Sequence, residues 1–135
     1  MVDSIPDKIK NFFNKTAIMA FGTASKDGIP NVVAIGSKKV VGDNKIWIID
    51  TYFKKTKRNL MENNKVSITM WQGSEGYQLK GEADYYSSGK LFNRAKKWIL
   101  ELKPGKKVKG VVEIKVTAIY SITPNPKEAG RRIKF

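Results

Sequence analysis

The sequence of 135 residues contains no cysteine and no histidine. Without cysteine there is no disulfide, no thiolate nucleophile and no Fe–S or Cys-type zinc site. Without histidine a Ser-His-Asp triad is also excluded, so carboxylate, Lys or Tyr side chains remain for acid and base chemistry. We therefore predict no catalytic side chain and expect any demanding chemistry to come from a bound cofactor.

The sequence also lacks a long apolar run. No stretch approaches the roughly 20 apolar residues of a membrane-spanning helix. The opening residues MVDSIP have neither the charged start nor the apolar centre of a signal peptide. We therefore expect a cytoplasmic protein with one compact domain over residues 1–123, followed by a basic, proline-containing tail over 124–135.

Acidic residues are few, at 12 against 26 basic ones, for a formal net charge of +14. Such a charge attracts phosphates, nucleic acid or an acidic partner protein. Arginine occurs only at positions 58, 94, 131 and 132, whereas proteins that read nucleic-acid sequence use Arg for bidentate base contacts. Specific nucleic-acid binding is therefore not expected, although a non-enzymatic nucleic-acid-binding barrel stays an alternative interpretation.

Hydrophobic periodicity predicts six strands, over residues 17–23, 30–41, 46–49, 66–70, 77–85 and 112–122. It predicts helices over 5–13, 54–63 and 91–102, the last ended by Lys103-Pro104-Gly105-Lys106. Asp27-Gly28 is a hairpin signal, and Gly81 predicts a bulge or a close backbone approach. Mostly hairpin connections favour a closed or partly closed antiparallel barrel over a Rossmann sheet.

The segment from Asp50 to Leu60 is the first candidate site. A strand here delivers hydroxyl, amine and amide groups to the start of a helix. Backbone N–H groups at a helix start, the helix dipole and nearby Lys side chains all favour a phosphate. The alternative interpretation is a solvated basic helix face, and the residues alone leave both open.

The segment from Asn31 to Lys39 is the second candidate, because Gly36-Ser37-Lys38-Lys39 interrupts an otherwise apolar strand there. Gly36 would let a flat ligand approach the backbone, while an edge or bulged strand is the alternative. Among the aromatics, Trp47 and Trp98 are predicted to lie in the core, and Trp71 at a pocket or subunit interface. The spacing of the carboxylates matches no metal loop, so no metal site is predicted.

Five motifs occur in order along residues 12–122: Thr23-x-x-x-Asp27-Gly28-x-Pro30, Trp47-Ile48-Ile49-Asp50, Lys55-Thr56-x-x-Asn59-Leu60, Asn63-Asn64-Lys65-Val66-Ser67 and Leu79-x-Gly81-x-Ala83. In this order they resemble the FMN-binding split-barrel family, which includes pyridoxamine 5′-phosphate oxidase, small FMN-binding proteins and flavin reductases. The resemblance implies a mainly β fold with peripheral helices, a six-stranded antiparallel split β-barrel. It also implies a homodimer with FMN at the subunit interface.

The resemblance further implies which residues contact the cofactor. Contacts to the ring and ribityl chain are implied for Ala34, Ile35, Gly36, Ser37, Lys38, Lys39, Ile49, Asp50 and Thr51. Contacts to the phosphate are implied for Lys54, Lys55 and Thr56. The pocket is completed by Asn59 and, from the facing subunit, by Gly76, Tyr77 and Gln78.

Departures from the oxidase pattern make vitamin B6 oxidation doubtful. Ala34 replaces an Arg, Thr56 replaces a Lys, and the substrate-binding C-terminal Trp and His/Arg elements are missing. The Lys55-Thr56 pair resembles the shorter FMN-binding proteins, which implies an FMN-dependent oxidoreductase, electron-transfer or flavin-reductase-like protein with unidentified electron donor and acceptor. Related barrels bind F420, the alternative cofactor here, or haem, for which this sequence offers Tyr but no His or Cys ligand.

Overall fold

The computed structural model describes residues 3–135. Within that range the helices are α1 (Asp7–Lys15), α2 (Lys55–Glu62) and α3 (Lys90–Leu102). The strands are β1 (Met19–Ala24), β2 (Pro30–Ile35), β3 (Lys38–Val41), β4 (Lys45–Asp50), β5 (Lys65–Gln72), β6 (Glu75–Tyr86), β7 (Gly110–Ser121) and β8 (Arg132–Ile133). None of these helices is long and apolar enough to cross a membrane.

The strands form one curled antiparallel sheet in the order β2-β1-β5-β6-β7-β4-β3, with β8 added to β7. Alternate side chains of the strands point inward, and Phe21, Ile68 and Ile114 are almost fully buried in the resulting core. Burial of this apolar surface is the main force that holds the sheet curled. The prediction of a mainly β split barrel with peripheral helices is confirmed.

Residues 3–135 form eight strands rather than the predicted six, because residues 30–41 form two strands and the C-terminal segment adds β8. The chain breaks at Gly36-Ser37, so that β2 pairs with β1 while β3 pairs with β4. These pairs lie at opposite ends of the sheet order. A link of two residues therefore spans the two sheet edges, and the barrel stays split at this point.

The predicted tail returns to the sheet near its end. Arg132 and Ile133 pair with Tyr120 and Ile119 of β7, and Ile133 and Phe135 pack against the core. Apolar side chains in an otherwise basic segment account for this return. The division of the chain at residue 123 stays a prediction.

The helix α3 covers a second, smaller apolar cluster on the outside of the sheet. Ala95 and Ile99 are buried against Trp47, and Trp98 packs at the margin of the same cluster. The indole N–H of Trp47 donates to Glu113 at 2.9 Å. The prediction of a core position is thus confirmed for Trp47. Over residues 3–135, no group of acidic side chains is arranged to hold a metal ion.

Gly81 marks the bulge that the sequence predicts. The register between β6 and β7 shifts between Lys80 and Gly81. A Cβ at position 81 would meet the carbonyl oxygen of Lys115 and lie 2.7 Å from Cγ2 of Ile114. Glycine is therefore required here by close backbone approach.

Substitution of Gly81 by alanine is expected to lower the free energy of unfolding by about 1–3 kcal/mol, because the neighbouring strand must shift to admit the methyl group. Gly105→Ala is the matched control, since a Cβ there meets nothing within 4 Å. Urea unfolding followed by circular dichroism measures both. Equal unfolding midpoints for the two variants would contradict the close approach.

Candidate functional site

A cavity lies at the break between β2 and β3. Its volume is about 410 Å³, within the range of small-molecule sites. Its wall consists of Asn31, Val33, Ala34, Ile35, Gly36, Ser37, Ile49, Thr51, Tyr52, Phe53, Lys54, Lys55, Thr56, Lys103 and Lys106. The free edge of the barrel, the connection from β4 to α2 and the loop after α3 therefore surround one space. Both candidate segments of the sequence meet here.

The start of α2 forms one end of the cavity. Lys54 occupies the N-cap position, no side chain within residues 3–135 caps the helix, and its first turn holds no acidic residue. The first backbone N–H groups of α2 thus lack a capping acceptor. Thr56 is buried, and its Oγ1 accepts a hydrogen bond from Asn31 at 3.1 Å, which leaves the hydroxyl hydrogen free to donate. These donors suit an anion such as a phosphate.

The loop after α3 forms a second cationic end. Nζ of Lys103 donates to Oγ of Ser37 at 2.9 Å, and the backbone N–H of Lys106 donates to the carbonyl of Lys103 at 3.0 Å. Burial, and then the charge of Lys103, lower the pKa of Lys106. The same causes lower the pKa of nearby Lys38. Positive charge is therefore concentrated at this end.

Within residues 3–135, the four lysines of the cavity wall form no ion pair with a carboxylate. The ion pairs formed in the described part of the chain are Lys45–Glu113, Lys65–Glu82 and Arg131–Glu128. None of these residues lines the cavity, and its wall holds four lysines and no acidic residue. Since unpaired lysines in a concave site produce a positive potential, the arrangement favours an anionic ligand.

Lys38 and Lys39 were predicted to contact the ligand, but they lie off the wall. Nζ of Lys38 donates to the carbonyl of Thr16 at 2.7 Å. Nζ of Lys39 lies 5.4 Å from the ring centroid of Trp98. Because the chain turns from β2 into β3 at Ser37, both side chains are directed to protein partners.

Asp50 and Asn59 also lie behind the wall. The carboxylate of Asp50 is fully buried and accepts hydrogen bonds from the backbone N–H of Phe53 at 2.8 Å and the hydroxyl of Tyr85 at 2.5 Å. Burial, followed by this bond to Asp50, raises the pKa of Tyr85. Nδ2 of Asn59 donates to Thr23 at 3.0 Å. Asp50 therefore positions the segment between β4 and α2, and Asn59 positions α2 against β1, from the side of the wall that faces the protein interior.

Gly76, Tyr77 and Gln78 stand at the start of β6, away from the cavity of their own chain. Tyr77 is buried and its hydroxyl donates to Glu75 at 2.8 Å. Burial and then this hydrogen bond raise the pKa of Tyr77 to about 12. Gln78 pairs with Thr69 of β5 on the outer face. The contact of these residues with a second subunit stays a prediction.

Lys103 and Lys106 line the cavity and lie outside both candidate segments. Asn31, Val33, Tyr52 and Phe53 lie within those segments but were not among the predicted cofactor contacts. The sequence pattern places Lys103 and Lys106 at the end of a helix, and no local signal indicates that the loop returns to the break at Ser37. One signal was present in the clustering of lysine over residues 103–109. Lys103 and Ser37 are 66 residues apart in the chain. Hydrophobic periodicity does not reveal contacts between residues that are so far apart.

Residues 5–123 match the family model described as pyridoxamine 5′-phosphate oxidase. The chain belongs to the pyridoxamine 5′-phosphate oxidase family. Membership confirms the resemblance inferred from the ordered motifs. A relative of this chain, an uncharacterised protein of Methanocaldococcus jannaschii, is 39% identical over 130 residues, covering 94% of this chain and 85% of the relative.

Solved structures share the fold of this family member. HupZ of Group A Streptococcus superposes with a TM-score of 0.80 at 23% identity, covering 94% of this chain and 98% of its own. An FMN-binding protein from Syntrophomonas wolfei superposes with a TM-score of 0.75 at 19% identity, covering 88% and 86%. An F420 reductase, with a TM-score of 0.65, and HutZ, the haem storage protein from Vibrio cholerae, with 0.66, also share the fold. The ligand thus varies among proteins of this architecture.

Proposed function

We propose that this protein binds FMN in the cavity at the break between β2 and β3 and serves as an oxidoreductase of electron-transfer or flavin-reductase type. The observation that carries the proposal is a ligand-sized cavity with an uncapped, lysine-bearing helix start at one end. The FMN-binding protein from Syntrophomonas wolfei, which has the same fold, supports it.

In this proposal, polar groups of the cavity wall bind the phosphate and the polar edge of the ring, and apolar groups contact the rest of the ring. Lys54, Lys55 and the backbone of α2 hold the phosphate, and Thr56 adds a neutral donor. Among the described strands, β2 pairs only with β1, so its other edge offers backbone donors and acceptors to the polar edge of the ring. Val33 and Ile49 supply apolar surface. When bound, FMN supplies the redox chemistry, and the protein binds and orients it.

Titration of chromophore-free protein with FMN, F420 and haemin tests this proposal. We expect stoichiometric FMN binding with a dissociation constant of about 1 μM or lower, measured by quenching of flavin fluorescence. If the protein binds F420 but not FMN, the proposed cofactor is wrong and the deazaflavin F420 takes its place. Binding of haemin alone would overturn the proposal and direct attention to Tyr52, an exposed phenol on the wall of a chain without His or Cys.

A second copy of the chain is the proposed partner, seated on the outer face of β2, β1 and β5. Val32, Gly22 and Ser67 lie side by side in register there. The face, which we call the small-residue face, comprises Ala20, Gly22, Val32, Ala34, Ser67, Thr69 and Trp71, together with Gln78 of the neighbouring β6. These residues are uncharged in a chain of net charge +14, with Lys65 of β5 and Lys80, the register partner of Ser67, at their border. Ala34 joins the face to the rim of the cavity. Exposed apolar surface of this kind is typical of subunit interfaces.

Introducing charge into the small-residue face is expected to convert the dimer into a monomer. In the described chain Val32 and Trp71 are 64% and 53% exposed, so Val32→Glu with Trp71→Glu leaves the core intact. Sedimentation analysis should give the mass of two chains for the natural protein and of one chain for the variant. Met61→Glu is the control, since Met61 is 59% exposed on α2, away from this face. A natural protein that sediments as a monomer would contradict the dimer.

A further inference from the structure

The loop after α3 places two lysines at the end of the cavity opposite the phosphate site. We propose that Lys103 and Lys106 hold positive charge against the polar edge of the flavin ring and thereby favour reduced over oxidised FMN. This inference rests on the proposed function. It assigns a specific role to residues that the ordered motifs do not include.

The geometry holds the side chain of Lys103 and the backbone of Lys106 in place at this end of the cavity. Lys103 is tethered to Ser37, the residue at which the barrel is split. The hydrogen bond from the backbone of Lys106 to the carbonyl of Lys103 closes the turn between them. Both side chains line the cavity. A charge that is already positioned needs little reorganisation when negative charge develops nearby.

The two cationic ends are separated along β2. Asn31 contacts Thr56 at the start of α2, and Ser37 contacts Lys103. The strand residues from Asn31 to Ile35 span roughly 13 Å, and the break at Gly36-Ser37 follows them. A flavin whose phosphate lies at α2 and whose ring follows β2 therefore brings its polar edge toward Lys103. If FMN were bound in this way, its reduction by two electrons with uptake of one proton would place one additional negative charge near Lys103.

The energetic effect follows from the charges already present. Lys103 and Lys106 repel one another, and the wall offers no carboxylate to offset them. Oxidised FMN carries no charge on its ring, whereas the two-electron reduced form without a proton on N1 is anionic. The lysines therefore lower the free energy of the reduced complex more than that of the oxidised complex.

Equilibrium reduction of the FMN-loaded protein by dithionite, against a reference dye, tests the inference. For Lys103→Gln with Lys106→Gln, we expect the preference for reduced over oxidised FMN to fall about tenfold, which lowers the midpoint potential by about 30 mV for two electrons. The control Lys107→Gln with Lys109→Gln removes the same net charge from the same loop but off the wall. Lys103→Arg with Lys106→Arg keeps the charge and should retain the natural potential.

The outcomes separate this inference from the function on which it rests. A natural protein that binds no FMN overturns the proposed function and the inference together. A protein that binds FMN, but whose potential is unchanged in Lys103→Gln with Lys106→Gln, overturns the inference alone. An equal shift in the Lys107→Gln with Lys109→Gln control also overturns it, because net charge rather than position would then set the potential.

Discussion

Replacing Lys54 and Lys55 together by glutamine is expected to raise the dissociation constant for FMN at least about a hundredfold. Each charge-assisted hydrogen bond contributes about 1.5–3 kcal/mol, and two such losses exceed about 2.7 kcal/mol. Both side chains are exposed at the start of α2, so their removal leaves the core unaffected. Fluorescence titration of the variant against the natural protein measures the change.

Riboflavin, which lacks the phosphate, provides the internal comparison for this prediction. Its affinity should be nearly the same in the natural protein and in Lys54→Gln with Lys55→Gln. The matched control Lys90→Gln with Lys97→Gln removes two exposed lysines of α3 that do not line the cavity. If this control weakens FMN binding as much, the lysines act through net charge and the phosphate site lies elsewhere.

Asp50→Ala is expected to lower the free energy of unfolding by about 3 kcal/mol or more. The buried carboxylate accepts hydrogen bonds from Phe53 and Tyr85, and its loss leaves two donors without an acceptor inside the protein. The connection from β4 to α2 should loosen with it, because the bond to Phe53 shapes that connection. Thermal and urea unfolding would both report the loss.

Two further substitutions sharpen the test of Asp50. Asp50→Asn keeps the shape and one acceptor oxygen, so its loss should be intermediate. Asp84→Ala removes a carboxylate that is exposed on β6 and should change stability by less than about 0.5 kcal/mol. A stability of Asp50→Ala equal to that of Asp84→Ala would show that the buried hydrogen bonds contribute little.

Most of the fold could be predicted from the sequence because its signals are local. The alternation of residues 66–70 and 112–122 and the stripe of α3 follow from burial of one face. The sequence shows a polar interruption at Gly36-Ser37, but it does not show that the chain passes there from one sheet edge to the other. Whether such a residue pair bulges or transfers the chain to another edge depends on strands that lie far away in sequence.

The two ends of the candidate site differ in how far the sequence reveals them. Lys54, Lys55 and Thr56 lie next to one another at a predicted helix start, so local chemistry indicates an anion site. Lys103 reaches Ser37 only through packing of α3 on the sheet. The family resemblance implies a cofactor contact for Asp50, but its hydrogen bonds with Phe53 and Tyr85 direct its carboxylate into the protein.

The free edge of β2 has a consequence for self-association as well as for binding. An unpaired strand edge is a template on which another chain can add a strand, and natural proteins commonly protect such edges with lysine. Here four positively charged lysines line the cavity beside that edge. They would repel an equally basic second chain that approached edge to edge. The positive charge that favours an anionic ligand therefore also protects the free edge of β2 from pairing with another chain when no ligand is bound.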